Sequence, residues 1–368
     1  MWLNGCVARR PKTVYPLPGK RRKRSGFLRW FGWLFVIAAI VAGAAFWWQP
    51  RSRPASPARV PPPAPAKAPA RQWNRAEAAS GGFPHPARDV FEAQVALARR
   101  GISPGVIDGA LGSQTRMAIA VFQGIENLPQ TEKLDPETRA KLTLDSPVLT
   151  NYVVTADDLA RLQPLGKTWL AKSQQTALDY ETILELVAEK SHSHPDLIRQ
   201  LNPGINWAGP VAGLVVKVPD VAYPEPAAKA AFAVIHLDEK FLEAFDEQTN
   251  LLVHFPCSIA AHVEKRPVGE LHVTVIAPNP NYTFDPALFP ESPEAAQLGQ
   301  KLMLRPGPRN PVGVAWIGLD KTGYGIHGTP NPEMIGRTES HGCFRLANWD
   351  AEYLSQLAWI GMPVVVEE

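Results

Sequence analysis

Ten prolines fall between residues 49 and 87, at positions 50, 54, 57, 61, 62, 63, 65, 69, 84 and 86, and they sit among alanines. This stretch limits where the chain can build a core. Proline fixes φ and has no N–H, so a segment this rich in it favours extended polyproline conformations. Fully extended, it would reach on the order of 100 Å at ~3.1 Å per residue. A generic linker and a deliberate spacer would have the same composition. Folded structure is therefore expected beyond residue 87, where the remaining length allows two or three domains.

Charge divides the chain unevenly. Residues 1–76 hold 15 Lys/Arg and no acid, leaving 23 Lys/Arg against 35 Asp/Glu in residues 77–368, a net of −12. An acidic body lacks the concentrated basic surface that nucleic acid requires, so no nucleic-acid partner is expected. The basic head has another explanation. Lys20-Arg21-Arg22-Lys23-Arg24 precedes an uncharged run from Trp30 to Trp48. As a helix this run spans about 28 Å, close to a bilayer's hydrocarbon core. Tryptophans near both ends suit the two interfaces, and positive charge before the span orients it with the N-terminus inside. The run is long for a signal peptide, and Phe46-Trp47-Trp48 is not a small-residue cleavage site. The expectation is a basic cytoplasmic tail at 1–26, one uncleaved transmembrane anchor at 27–48 and a linker at 49–87. Cys6 then lies inside, and Cys257 and Cys343 are too few for a disulfide framework. One bridge between them stays open.

Three folded segments follow. In residues 88–145, Phe91, Val95 and Ala98 recur at helical spacing with Gly101 as a C-cap, and Asp108-Gly109 marks a turn. Asp135-Pro136-Glu137 reads as N-cap, first-turn proline and first-turn acid. In residues 150–220, two helical patterns (Glu181 to Lys190 and Pro195 to Leu201) end at Asn202-Pro203-Gly204 and precede the strand Leu214–Val218. Residues 230–368 are mostly β, with short strands expected at 232–237, 241–245, 251–259, 271–277, 314–318, 324–327 and 363–366. Many short strands with turn signals indicate a sandwich or barrel. Residues 278–312, with eight prolines, read as a long loop of the kind that often covers or lines a site.

The chemistry concentrates near the end of the chain. His327-Gly328-Thr329 is followed by Ser340-His341-Gly342-Cys343-Phe344-Arg345-Leu346. Thiol and imidazole together make an acyl-transfer nucleophile at neutral pH, because the imidazole can take the thiol's proton. His341 and Cys343, at i and i+2, share a face if the segment is extended, and Arg345 continues that face. Gly342 leaves room for a substrate carbonyl to approach backbone N–H groups, and Arg345 could hold a carboxylate.

This pattern, with Gly336-Arg337 between its halves, Asn348 after it and Pro267-x-Gly269 upstream, closely resembles the L,D-transpeptidase (YkuD) catalytic domain over about residues 230–368. The resemblance implies that Cys343 is the nucleophile and that His327 moves the proton. It also implies that the carbonyl of Gly328 orients His327, with Ser340, His341, Gly342 and Arg345 supporting. The implied reaction is attack on the bond before the terminal D-alanine of a tetrapeptide stem, release of D-alanine, and resolution of the thioester by a neighbouring amine to give a 3-3 cross-link. Arg266 stands where that family commonly has threonine. Residues 88–145 resemble the three-helix peptidoglycan-binding module through Gly105–Gly109, Gly112, Thr115, Ala118, Phe122-Gln123 and Leu134–Thr138. Residues 150–220 are similar to a LysM module, except that some 26 residues separate the opening strand Tyr152–Val154 from the first helix.

The fold class expected is therefore α+β and multidomain, with a β-rich sandwich or barrel-like catalytic domain behind two small modules. Expected partners are peptidoglycan stem peptides and glycan strands, together with the inner membrane through one helix. The expected location is the bacterial inner membrane, single-pass, with the catalytic domain in the periplasm. No cofactor and no metal are expected. Water as acceptor would make a carboxypeptidase, and a protein acceptor would make an attachment enzyme. Two readings of another class are a zinc hydrolase using His327, His341 and Cys343, and a non-catalytic wall tether. Cys257 is expected to be an inert core thiol. His192 and His194 are expected in solvent, and His236, His254, His262 and His272 carry no pattern.

Overall fold

The structure is a computed structural model, and it describes residues 82–368 apart from 261, 290–291 and 338–341. The basic tail, the expected span at 27–48 and nearly all of the linker lie outside the described residues. Among the described residues no helix is long and apolar enough to cross a membrane. On that finding the single-pass inner-membrane placement, with its periplasmic catalytic domain, is corrected: nothing in the structure supports it.

Residues 87–142 fold as three helices, α1 (Val90–Ala98), α2 (Ser113–Ile125) and α3 (Pro136–Lys141). Asp89 caps α1 by accepting from the Glu92 N–H, and Asp135 caps α3 by accepting from Thr138, with Pro136 in its first turn. Two buried glutamines organise the loops between them. Gln94 accepts from the Gly109 N–H at 2.6 Å and donates to Asp108 and Thr115. Gln123 donates to Thr131, Lys133 O and Thr138. Buried amides must find partners, so these two side chains specify the loop paths more sharply than apolar residues could.

The next segment pairs β1 (Leu149–Val153) antiparallel with β2 (Val215–Pro219). Against them pack α5 (Ile183–Lys190) and α6 (Pro195–Leu201), around Val154, Ile183, Leu186, Val187, Ile198 and Val216. The order of strand, two helices and strand is the one expected. The intervening 26 residues divide: Leu159, Leu162 and Tyr180 stay against this core, whereas Leu165, Trp169 of α4 (Trp169–Ser173) and Leu178 pack on the 278–312 excursion.

Residues 230–367 form an eight-stranded sheet. Its strands are β3 (Phe232–His236), β4 (Phe241–Phe245), β5 (Leu251–Pro256), β6 (Gly269–Pro278), β9 (Ala315–Leu319), β10 (Gly325–His327), β11 (Phe344–Arg345) and β12 (Pro363–Glu367), in spatial order β11-β10-β9-β6-β12-β3-β4-β5. Just past β5, Ser258 exchanges both backbone hydrogen bonds with Arg345 of β11, at 2.9 Å each. The two edges of the sheet thus meet, which removes the open edge that would otherwise invite pairing. Helix α7 (Asn348–Leu357) packs Ala351, Leu354 and Leu357 into the core formed by Ile235, Phe255, Ile317, Ile326 and Phe344.

The 278–312 excursion is not a bare loop. It contains the antiparallel pair β7 (Tyr282–Phe284) and β8 (Leu302–Leu304). Phe284 and Leu304 are buried, and Trp169 of α4 stacks on Phe284 at 4.1 Å between ring centroids. Leu178 bonds through its backbone to Pro306 O and Arg309 N, and Arg309 forms ion pairs with Glu181 and Glu185. Trp169→Ala should lower stability by about 2 kcal/mol, the loss expected for a half-buried aromatic. Limited proteolysis should then cut faster within residues 285–301; unchanged cutting would show that this packing does not hold the excursion.

Two buried carboxyls tie the segments together. Asp350 accepts from the hydroxyls of Tyr223 and Ser103, and burial pushes it up to about 7. Burial likewise pushes Glu189 up to about 7, although Asn348 and Tyr180 donate to it. Each acid prefers its neutral form in the fold. Their contribution is therefore full below the ordinary carboxylate range near ~4 and is lost as pH rises through about 7. Melting temperature should fall from pH 5 to pH 8, and the fall should shrink in Asp350→Asn. A variant with the same pH slope as the parent would exclude Asp350 as the source.

Candidate active site

His327 ends β10, held between Trp316 of β9 and Arg345 of β11 in register. Its ring is buried and lies parallel to the Trp316 indole, 5.6 Å between centroids. Nδ1 lies 2.7 Å from the carbonyl oxygen of Gly328. A carbonyl only accepts, so Nδ1 carries the proton and Nε2 presents its lone pair. Burial pushes His327 down to about 4, against the effect of the Gly328 bond, and the nearby Arg345 charge acts in the same direction as burial. The imidazole is neutral at any pH near 7.

Gly328 is required by a close approach. A Cβ there would stand 2.3 Å from Asn348 Oδ1. Asn348 is buried at the start of α7, accepts from the Val314 N–H and donates to Pro308 O and Glu189. It braces the turn whose carbonyl holds His327. The motif contained Asn348, but nothing in its spacing announced this bracing.

Cys343 immediately precedes β11. Ile326 pairs with Phe344 in a parallel register, and both side chains enter the core. Side chains alternate along strands, so His327 and Cys343 share the opposite face, diagonally across neighbouring strands, roughly 8 Å apart at Cα. Sγ reaches the Gly323 carbonyl at 3.5 Å. Burial raises the thiol's pKa, while a Gly325 backbone hydrogen bond and the Arg345 charge lower it. Cys257 and Cys343 are both free thiols, so the bridge left open by the sequence is not formed. Cys257 is fully buried in the core, which raises its pKa strongly.

Arg345 lies on the Cys343 face and is half-buried; burial lowers its pKa, with Cys343 and Tyr282 opposing. Asp350, an alternative partner for this arginine, is instead engaged by Tyr223 and Ser103. Tyr282 was not visible from sequence. Burial raises its phenol, the Cys343 charge adds to that, and Arg345 counters it, so this β7 side chain lies within electrostatic range of the thiol. Ser340 and His341 lie outside the described residues. Among the described residues beyond its chain neighbours, the atom nearest to where a Gly342 Cβ would stand is on the Tyr324 ring at 3.7 Å. Among the described residues no group of three His, Cys, Asp or Glu is placed to hold a metal. His192 departs from expectation. It is stacked on Trp349 at 4.9 Å, and burial pushes it down to about 3. His194 caps α6.

Residues 230–366 match the family model described as the L,D-transpeptidase catalytic domain. This segment is an L,D-transpeptidase catalytic domain. Residues 87–142 match the model described as "Putative peptidoglycan binding domain". "Putative L,D-transpeptidase YkuD" of Bacillus licheniformis is 26% identical over 50% of this chain and 92% of its own length. "Putative L,D-transpeptidase YqjB" of Bacillus subtilis is 35% identical over 28% of this chain and 52% of its own. Among solved structures, the L,D-transpeptidase from Xylanimonas cellulosilytica aligns at 14% identity and TM-score 0.34, covering 78% of this chain and 97% of that one. In the transpeptidase domain described here, the thiol, the imidazole and Arg345 are gathered on one face by two parallel strands.

Proposed function

We propose that the chain is a peptidoglycan L,D-transpeptidase in which Cys343 is the nucleophile and His327 the proton carrier. The observation that carries this assignment is the bond from His327 Nδ1 to Gly328 O, which leaves Nε2 as a lone pair on the face shared with Cys343. The stem-peptide carbonyl before the terminal D-alanine is attacked by Sγ as the thiol proton passes to Nε2. Backbone N–H groups around Gly342 stabilise the oxyanion, and Arg345 orients the stem carboxylate. The C–N bond breaks, the leaving amine takes the proton from His327, and a thioester remains. An acceptor amine gives up a proton to the same nitrogen as it attacks the thioester, forming the 3-3 cross-link and freeing the thiol. Tyr282 lies where it can contact the bound stem. The segment similar to a LysM module, 150–220, and the helical module would hold the chain on peptidoglycan.

The test is muropeptide analysis after incubation with tetrapeptide-containing sacculi. New 3-3 cross-linked species and free D-alanine are expected. Tripeptide release without cross-links would instead assign water as the acceptor. The absence of any change in muropeptides would reject the assignment.

A further inference from the structure

Both hydrogens of the Asn348 amide end on groups that the 150–220 segment holds. The amide oxygen accepts from the Val314 N–H at 3.3 Å. It sits in a notch between Gly313 and Gly328, where a Cβ on either glycine would stand 2.0 or 2.3 Å from it. The amide nitrogen therefore faces the other way and donates twice, to Pro308 O and to Glu189 Oε1, at 3.1 Å each. Glu189 lies in the last turn of α5, in a segment that contributes no strand to the eight-stranded sheet. Pro308 belongs to the 278–312 excursion, and the same segment pins its neighbours. The Leu178 N–H donates to Pro306 O at 2.9 Å, and the Leu178 carbonyl accepts from the Arg309 N–H at 3.0 Å.

The next residues of α7 repeat the pattern. Trp349 stacks on His192 of the 150–220 segment, and Asp350 accepts from Tyr223 and from Ser103 of the helical module. The first turn of α7 is thus where the upstream segments grip the transpeptidase domain. It is also one step from the proton carrier. Asn348 Oδ1 presses on Gly328, whose carbonyl accepts from His327 Nδ1 at 2.7 Å.

A buried amide N–H deprived of its acceptor is costly, so the side chain shifts to find another. Here the oxygen end of the amide is wedged against two glycines. A shift of the nitrogen end therefore moves the turn that carries the Gly328 carbonyl. His327 then loses the acceptor that fixes its tautomer.

We propose that Glu189 is a positioning residue for the transpeptidase reaction: through Asn348 it holds the Gly328 carbonyl in place and keeps His327 Nε2 bare toward Cys343. The 150–220 segment then serves catalysis as well as any hold on the wall. The proposal rests on the assignment of His327 as the proton carrier, and Glu189 acts on that ring only through Asn348. Around its carboxyl stand Tyr180, which donates at 2.9 Å, Glu185 of its own helix and Arg309 of the excursion. Burial pushes Glu189 up to about 7. A neutral carboxyl still offers its carbonyl oxygen to Asn348, and a glutamine amide offers the same.

Glu189→Met keeps an unbranched stem and removes the acceptor, Glu189→Ala does so with less bulk, and Glu189→Gln retains an acceptor oxygen. In the full chain, D-alanine release from a soluble tetrapeptide should lose about 10- to 100-fold in kcat in the Met and Ala variants, with KM within about twofold. Glu189→Gln should stay within about threefold of the parent. Ile183→Val thins the core around α5 and removes no hydrogen bond to Asn348. It should lower the melting temperature and leave kcat unchanged. Nitrogen-15 spectra of histidine-labelled protein supply a second readout, with the His327 signals identified by their loss in His327→Gln. The parent should show one tautomer with Nε2 bare, and Glu189→Met and Glu189→Ala a mixture of two. A parent-like tautomer or a parent-like kcat in both variants would overturn the proposal. So would an equal loss of kcat in Glu189→Gln or in Ile183→Val. A parent that releases no D-alanine would count against the transpeptidase assignment alone, because the nitrogen spectra are read without turnover.

Discussion

Cys343→Ala is expected to lose at least about 10⁴-fold in turnover, since a covalent route vanishes with its nucleophile. Its melting temperature should stay near that of the parent. Sγ approaches Gly323 O at 3.5 Å, too long to contribute much to stability. Mass spectrometry of the parent caught with substrate should show a thioester on the peptide carrying Cys343 and none on that carrying Cys257. The second thiol is fully buried and its pKa is raised, so it is neither accessible nor ionised. Activity above about one per cent of the parent in Cys343→Ala would remove this cysteine from the mechanism.

His327→Ala should cost about 10²- to 10⁴-fold, the range for losing a positioned acid–base group. The pH dependence is the sharper measurement. Burial holds His327 at about 4 and raises the Cys343 thiol, so the resting site contains a neutral imidazole and a neutral thiol near pH 7. In the parent, kcat/KM should lose its acid limb only near pH 4, where the imidazole becomes protonated and can no longer accept. In His327→Ala the rate should track the thiolate fraction, rising about tenfold per pH unit until the thiol titrates. Ultraviolet thiolate absorbance in the parent at pH 6 would show a resting ion pair instead and would overturn the neutral-pair description.

Much of the catalytic sheet was legible from period-two patterning. Strand 241–245 was expected with its observed bounds, and 314–318 differs by one residue. The strands missed were β7, β8 and β11. Each is two or three residues long and takes its stability from a partner distant in sequence, so no local period marks it. The excursion at 278–312 read as loop because its prolines masked a short pair that is stable only under Trp169 and Leu178. Part of the 26 residues that broke the likeness to LysM, from Leu165 to Leu178, is the other half of the same packing. His192 was expected in solvent because it read as part of a loop; Trp349, 157 positions later, covers it.

The sequence by itself pointed to the proposed chemistry. His327, Gly328 and Cys343 were singled out because their motif resembles that of the L,D-transpeptidase family, and covalent chemistry depends on residue type. Only the tertiary structure decided how these residues are tuned and what surrounds them. Parallel pairing of β10 with β11 puts His327 and Cys343 on one face, and Asn348 braces the carbonyl that sets the tautomer. Tyr282 arrives from a distant strand, and the cavity between the helical module and the sheet draws its lining from three segments at once. Burial, pKa and cavity shape are sums over neighbours that lie far apart along the chain, so they arise only once the chain is folded.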